Sequence, residues 1–215
     1  MRYHNIIFDL DGTLTDSAEG IINSAVYAFE QLHLPVPERS EFRKMIGPPL
    51  TEGFPLLGVP DALVSEAIRL YRVRYNDRGG KFENRVYDGI ADCLKALKAA
   101  GFRLYVGTSK PEPMAREILE RHGLSQEFAY IAGASWDKSR QSKEDVLRYL
   151  LSVIGTKDGA VLVGDTRYDA EGARTVGIPC IGVTWGFGLR EELTGTKAVV
   201  TSPEALKAYL IEKGE

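Results

Sequence analysis

Short apolar runs alternate along this chain with stretches in which apolar residues recur every three or four positions. The runs at Asn5–Phe8, Arg103–Gly107, Tyr130–Ala132, Ala160–Gly164, Pro179–Val183 and Ala198–Val200 read as strands. The first, Ile6-Ile7-Phe8, has no polar alternation and is expected to be buried on both faces. Between the runs the helical period is plain. Over 88–100, Ile90, Leu94 and Leu97 share one face and Gly101 stops the helix. Pro111 opens a helix over 111–122. Over 143–154, Val146, Leu147, Leu150, Leu151 and Ile154 form a stripe. Strands alternating with helices predict an α/β fold with a parallel sheet covered by helices.

The alternation is interrupted once. From Asp16 to Arg85 the pattern offers no convincing strand, only helices at about 18–33, 38–46, 50–57 and 61–78. In the first of these, Ile22, Ala25, Val26, Phe29 and Leu32 fit one face. About seventy residues is far more than a strand-to-helix connection needs. The expected organisation is therefore a core made of 1–16 and 83–215, with a small all-helical cap domain, 17–82, inserted after the first strand. The crossings near Asp16–Ser17 and Gly79–Asn84 would act as hinges, the second marked by Gly79-Gly80.

Composition narrows the partners. The 215 residues carry a net charge of -3, and the basic residues are scattered, so no nucleic acid polymer is expected. No run approaches the roughly 18 apolar residues of a membrane span. Arg2 followed by a short apolar strand does not make a signal peptide. The two cysteines, Cys93 and Cys180, lie in apolar surroundings and read as small buried hydrophobes in a reducing, cytoplasmic setting. Nothing distinguishes a monomer from a dimer.

The candidate chemistry lies where strands end, because a parallel sheet directs its carboxyl ends to one edge and ligands bind there. The first strand runs into Asp9-Leu10-Asp11-Gly12-Thr13, the second into Thr108-Ser109-Lys110, and Ala160–Gly164 into Asp165-Thr166-Arg167-Tyr168-Asp169. Two acids as close as Asp9 and Asp11 repel unless a cation or shared proton compensates. A nucleophilic Asp9, a proton-handling Asp11 and a bound Mg²⁺ would meet that demand. Asp9 and Asp165 can supply carboxylates to the ion and Asp11 a backbone carbonyl. Asp169 could hold a metal-bound water, or serve only as a first-turn acid favoured by the helix dipole. Thr108 could bond a phosphoryl oxygen, with Ser109 beside it, or simply cap a helix. A lysine is wanted for the phosphoryl group. Lys143 is the choice: a cation in a first helical turn opposes the macrodipole, and that misplacement suggests a task elsewhere. Lys110 and Lys138 are rivals, Lys110 as an exposed loop lysine near the entrance. Arg72 and Arg74, in the cap, read as a solvated helix face that could touch a distal anionic group.

These residues resemble the haloacid dehalogenase-like superfamily of aspartate-nucleophile phosphotransferases over nearly the whole chain. Phe-Asp-Leu-Asp-Gly-Thr at 8–13 is similar to the family's first motif, Thr108 to its second, Lys143 to its third, and Gly164-Asp165 with Asp169 to its fourth. The resemblance implies a Rossmann-like three-layer core and a cap that closes during transfer. It implies Mg²⁺ held by Asp9, Asp11, Asp165 and Asp169. A phospho-aspartyl intermediate would form on Asp9, with Asp11 protonating the leaving oxygen and then activating water. The implied activity is a phosphatase acting on a small phosphorylated metabolite, phosphoglycolate phosphatase-like, with a 5′-nucleotidase as the alternative. The context Gln-Ser-Lys-Glu-Asp at 141–145 departs from the Gly-Lys-Pro common near phosphoglycolate phosphatase. Ile46-Gly47-Pro48-Pro49-Leu50 is similar to a loop in a nucleotidase-like subgroup. A phosphomutase is less favoured, since Thr13 stands where mutase-like relatives often have valine. A halide-removing hydrolase would leave Asp11 no proton to supply, and phospho-receiver domains are shorter and lack the insertion.

Overall fold

The computed structural model describes residues 3–137 and 139–214, so Arg2 and Lys138 lie outside the described residues. The chain divides into two compact units, Met1–Thr15 with Val86–Glu215, and Asp16–Arg85.

The first unit is built on a sheet that has six strands among the described residues. They are β1 (Asn5–Phe8), β4 (Arg103–Pro111), β5 (Tyr130–Ala134), β6 (Ala160–Gly164), β7 (Cys180–Val183) and β8 (Ala198–Val200). Their order is β5-β4-β1-β6-β7-β8, and all pair in parallel. Every residue of β1 is buried. Its side chains alternate between two hydrophobic clusters, as the period of a strand requires. Ile6 and Phe8 join the cluster of α4 (Ile90–Ala99), α5 (Glu112–Arg121) and α8 (Pro203–Gly214). Ile7 joins the cluster of α6 (Lys143–Ile154) and α7 (Arg167–Val176) on the opposite face. The result is the expected three-layer, Rossmann-like α/β core. The chain leaves β1 toward β4 and β5, then returns to β6 on the other side. The carboxyl ends of β4, β1 and β6 thus lie side by side at the switch in strand order.

One strand departs from its expected bounds with a consequence for the site. β4 continues through Thr108-Ser109-Lys110 to Pro111, which pairs with Ala134 of β5 across a register shift. The polar residues hide this extension from a hydrophobicity pattern, and the bulge turns their side chains out of strict alternation. Elsewhere the helix expected over 111–122 is α5, beginning after Pro111, and that over 88–100 is α4.

The second unit is helical: α1 (Ala18–Gln31), α2 (Leu50–Leu56) and α3 (Asp61–Arg72). Its core is a chain of rings, with Phe29 edge-on to Phe42 at 5.9 Å, Phe54 edge-on to Tyr71 at 6.1 Å, and Tyr71 stacked on Tyr75 at 5.2 Å. The helix expected over 38–46 is a 3₁₀ turn, Arg39–Met45. The helix expected over 61–78 ends at Arg72 and passes into a π turn, Val73–Asp77, that keeps Tyr75 buried. The pattern missed two strands of two residues each, β2 (Thr15–Asp16) and β3 (Arg85–Val86), which pair as the chain passes between the units. Pairs this short carry no readable alternation. Of the two cap arginines, Arg72 is exposed, whereas Arg74 is ion-paired to Glu83.

Candidate active site

Asp9 follows β1 directly, and its N–H still donates to Val163 O of β6 at 2.9 Å, so the strand's last rung holds it at the carboxyl edge. The chain then turns. Gly12 has φ +86, a conformation that favours glycine, and its N–H donates to Thr15 O at 2.8 Å. Asp165 follows β6 and is fully buried; Thr13 Oγ1 donates to its Oδ1 at 3.0 Å and the Phe187 N–H to its Oδ2 at 2.8 Å. Asp169, one turn into α7, is fully buried too. Its Oδ2 accepts from Thr166 N and Oγ1 at 3.0 and 2.8 Å in a capping box. The helix-cap role and a place in the cluster therefore coexist, one on each oxygen.

Lys143 joins these acids. Its Nζ lies 2.7 Å from Asp9 Oδ1 and 2.8 Å from Asp169 Oδ1, and donates to Gly107 O at 3.0 Å. The capping box of α6, Ser142 with Asp145, meets the needs of the helix start. That leaves the first-turn lysine free to reach across the sheet edge. Burial alone would pull its ammonium down, but Asp169 and Asp9 outweigh that and hold it above its ordinary value.

Oxygens of Asp9, Asp165 and Asp169 lie within 4.8 Å of one another. Asp9 Oδ1 and Asp169 Oδ1 are buried, and each meets the Lys143 ammonium. Among the described residues three carboxylates face one ammonium, so the ionised cluster is short of positive charge. Burial pushes the Asp165 carboxyl up to about 8, with Asp169 and Asp9 adding to the rise and the Phe187 N–H and Thr13 opposing it. Burial likewise pushes Asp9 up to about 6, against the pull of Lys143. A buried, all-oxygen set with surplus negative charge fits a hard divalent cation. Asp11 is outside the cluster. Its Oδ2 is ion-paired to Lys110 Nζ at 2.9 Å, and its Oδ1 is buried without a hydrogen bond.

Of the remaining expected residues, Thr108 is buried, and its Oγ1 accepts from the Lys110 N–H at 3.2 Å. Ser109 is exposed. Lys110 is not the exposed lysine expected: its side chain is 6% exposed, because the β4 bulge directs it to Asp11. Sequence reasoning overlooked the loop after β7. Besides the Phe187 N–H on Asp165, Trp185 Nε1 donates to Thr13 O at 3.0 Å, fixing the residue whose hydroxyl holds Asp165. The available signal was an aromatic-glycine string, Trp185-Gly186-Phe187-Gly188, following a strand at the same edge.

Residues 6–183 match the family model for haloacid dehalogenase-like hydrolases. The chain belongs to that family. Among curated relatives, a 5′-nucleotidase of Pseudomonas aeruginosa is 42% identical over 195 residues, covering 90% of this chain and 88% of its own. The tyrosine-protein kinase PtkA of Mycobacterium tuberculosis is 43% identical over 201 residues, 93% of this chain and 68% of that one. A phosphoglycolate phosphatase of Salmonella typhi is 28% identical over 217 residues, covering 86% and 83%. Among solved structures, one described as a predicted phosphatase from Clostridium acetobutylicum is 41% identical with a TM-score of 0.91, covering 99% of this chain and 100% of that one. This haloacid dehalogenase-like protein is a phosphatase, a phosphoric monoester hydrolase. No helix among its described residues is long and apolar enough to cross a membrane.

Proposed function

We propose that this phosphatase hydrolyses a small phosphate monoester with Mg²⁺ through a phosphoryl group carried on Asp9. The observation that carries the reading is the cluster of Asp9, Asp165 and Asp169 with Lys143, buried and short of positive charge. Asp9, Asp165 and the backbone carbonyl of Asp11 would hold the cation, with Asp169 and Lys143 bounding it. When bound, the ion supplies charge neutralisation for an anionic nucleophile meeting an anionic substrate.

In the first half-reaction an Asp9 carboxylate oxygen forms a bond to phosphorus while the bond to the ester oxygen breaks. Asp11 gives its proton to that departing oxygen. In the second, Asp11 takes a proton from water as the water oxygen bonds to phosphorus and the bond to Asp9 breaks, releasing phosphate. Lys143 stays an ammonium throughout, held so by two carboxylates, and stabilises the extra charge of the pentavalent phosphorus. Thr108 and the exposed Ser109 offer hydroxyls to the phosphoryl oxygens.

For the substrate, the 42% identity to a named 5′-nucleotidase over most of both chains favours a nucleoside 5′-monophosphate. The Ile46–Leu50 loop and the missing Gly-Lys-Pro context lean the same way. 2-Phosphoglycolate is the second candidate, supported by relatives at 28% identity. Phosphate release from a panel of nucleoside 5′-monophosphates, 2-phosphoglycolate and sugar phosphates tests both. Preferred hydrolysis of the nucleotides, silenced by EDTA and restored by Mg²⁺, is the expected result. Metal-independent release would overturn the cation assignment, and a preference for 2-phosphoglycolate would overturn the nucleotide assignment.

A further inference from the structure

We infer that Lys110 is a positioning residue for proton transfer, holding Asp11 by Oδ2 and leaving Oδ1 as the oxygen that exchanges the proton. The inference rests on Asp11 being the proton-handling group. Lys143 is engaged with Asp9 and Asp169, so the two lysines serve different carboxylates. Lys110 Nζ meets Asp11 Oδ2 at 2.9 Å with its own side chain 6% exposed, against 24% for Asp11. Asp11 Oδ1, by contrast, is buried and receives no hydrogen bond. The carboxylate is thus asymmetric: one oxygen clamped, one bare.

Backbone geometry brings this about. The register shift between Gly107 and Pro111 redirects the end of β4, and the Lys110 N–H donates to Thr108 Oγ1 at 3.2 Å. Gly133 of β5 packs against the bulge so closely that a β-carbon there would lie 2.5 Å from Lys110 O. The lysine therefore approaches Asp11 from the end of β4, between the paired residues Gly107 and Pro111. Proton transfer demands a narrow donor–acceptor geometry, and a carboxylate free to rotate would spend less time in it.

Loss of orientation should hurt most where the leaving oxygen most needs a proton. In Lys110→Met, kcat for an alkyl phosphate should fall about 10-fold or more, while p-nitrophenyl phosphate loses less than about 3-fold and KM changes little in both. Lys110→Arg should recover part of the alkyl phosphate rate. Adding Lys110→Met to Asp11→Asn should cost nothing further, since the clamp has lost its object. A loss equal for both esters, a raised KM alone, no loss, or full additivity with Asp11→Asn would each overturn the assignment. Asp11→Asn on its own separates the two readings. If it is selective for alkyl phosphates but Lys110→Met is not, only the Lys110 role falls. If Asp11→Asn is itself unselective, the acid role of Asp11 falls and the Lys110 role with it. Thermal melting of each variant distinguishes a rate effect from unfolding.

Discussion

The carboxyl edge of the sheet and the surface of the helical unit Asp16–Arg85 use the same residue types under opposite conditions. At the edge, Lys143 and Asp169 have side chains only 6% and 0% exposed. In the helical unit, Arg85 meets Asp16 at 3.2 Å with side chains 75% and 25% exposed. Exposed pairs add little to stability, because water competes for both partners. Buried charges cost several kcal/mol each to desolvate, and an apolar core would often be as stable. A fold that keeps three acids and a lysine dry at one edge spends stability there, which is the signature of a site rather than of a scaffold.

Substitutions should separate the two regions sharply. The largest effect is expected for Asp9→Asn, which removes the proposed nucleophile: p-nitrophenyl phosphate turnover should drop by about 10³-fold or more. The melting temperature should hold or rise, since a buried charge is lost. Lys143→Met should lower turnover by about 10²-fold. Unlike the first variant, it should also destabilise by about 3–5 kcal/mol, because it leaves acids buried without their cation. Denaturant unfolding of the two variants side by side checks that contrast.

A smaller, pH-dependent effect follows from Asp165, held near 8, and Asp9, held near 6, both above the ordinary 3.8. In the metal-free protein the folded state keeps these protons where the unfolded state has lost them. Its stability should therefore fall as pH rises from about 4 through 8. On the proposed binding, Mg²⁺ would replace the protons, so the rise in melting temperature on adding Mg²⁺ should be greater at pH 8 than at pH 5. Asp165→Asn should flatten the difference. A Mg²⁺ effect that shrinks with rising pH would contradict the buried cluster as the binding site. The least effect is expected in the helical unit: Arg85→Ala should change unfolding free energy by less than about 1 kcal/mol, as measured by denaturant unfolding.

What could be read in advance was what is local. The apolar run Ile6-Ile7-Phe8 stopping at Asp9, and its counterpart stopping at Asp165, announce strand ends by composition alone, and the structure brings both acids to one edge. The partners of those residues were not local. Lys110 looked like an exposed loop lysine because its burial depends on a bulge and on an acid nearly a hundred positions earlier in the chain. Trp185 and Phe187 carry no charge, and they reach the site through an indole N–H and a backbone N–H that no motif of titratable residues would flag. Short elements failed for a related reason: the 3₁₀ turn at Arg39–Met45 and the paired residues of β2 and β3 are too brief for periodicity to speak.

Trapping the phosphorylated enzyme tests the central claim most directly. The protein would be quenched during turnover, reduced with borohydride and mapped by peptide mass spectrometry. An acyl phosphate on Asp9 would be converted to homoserine, so the account predicts homoserine at position 9, dependent on substrate and Mg²⁺. Homoserine at another aspartate, or an unmodified Asp9 under conditions of steady turnover with the intermediate accumulated, would contradict it.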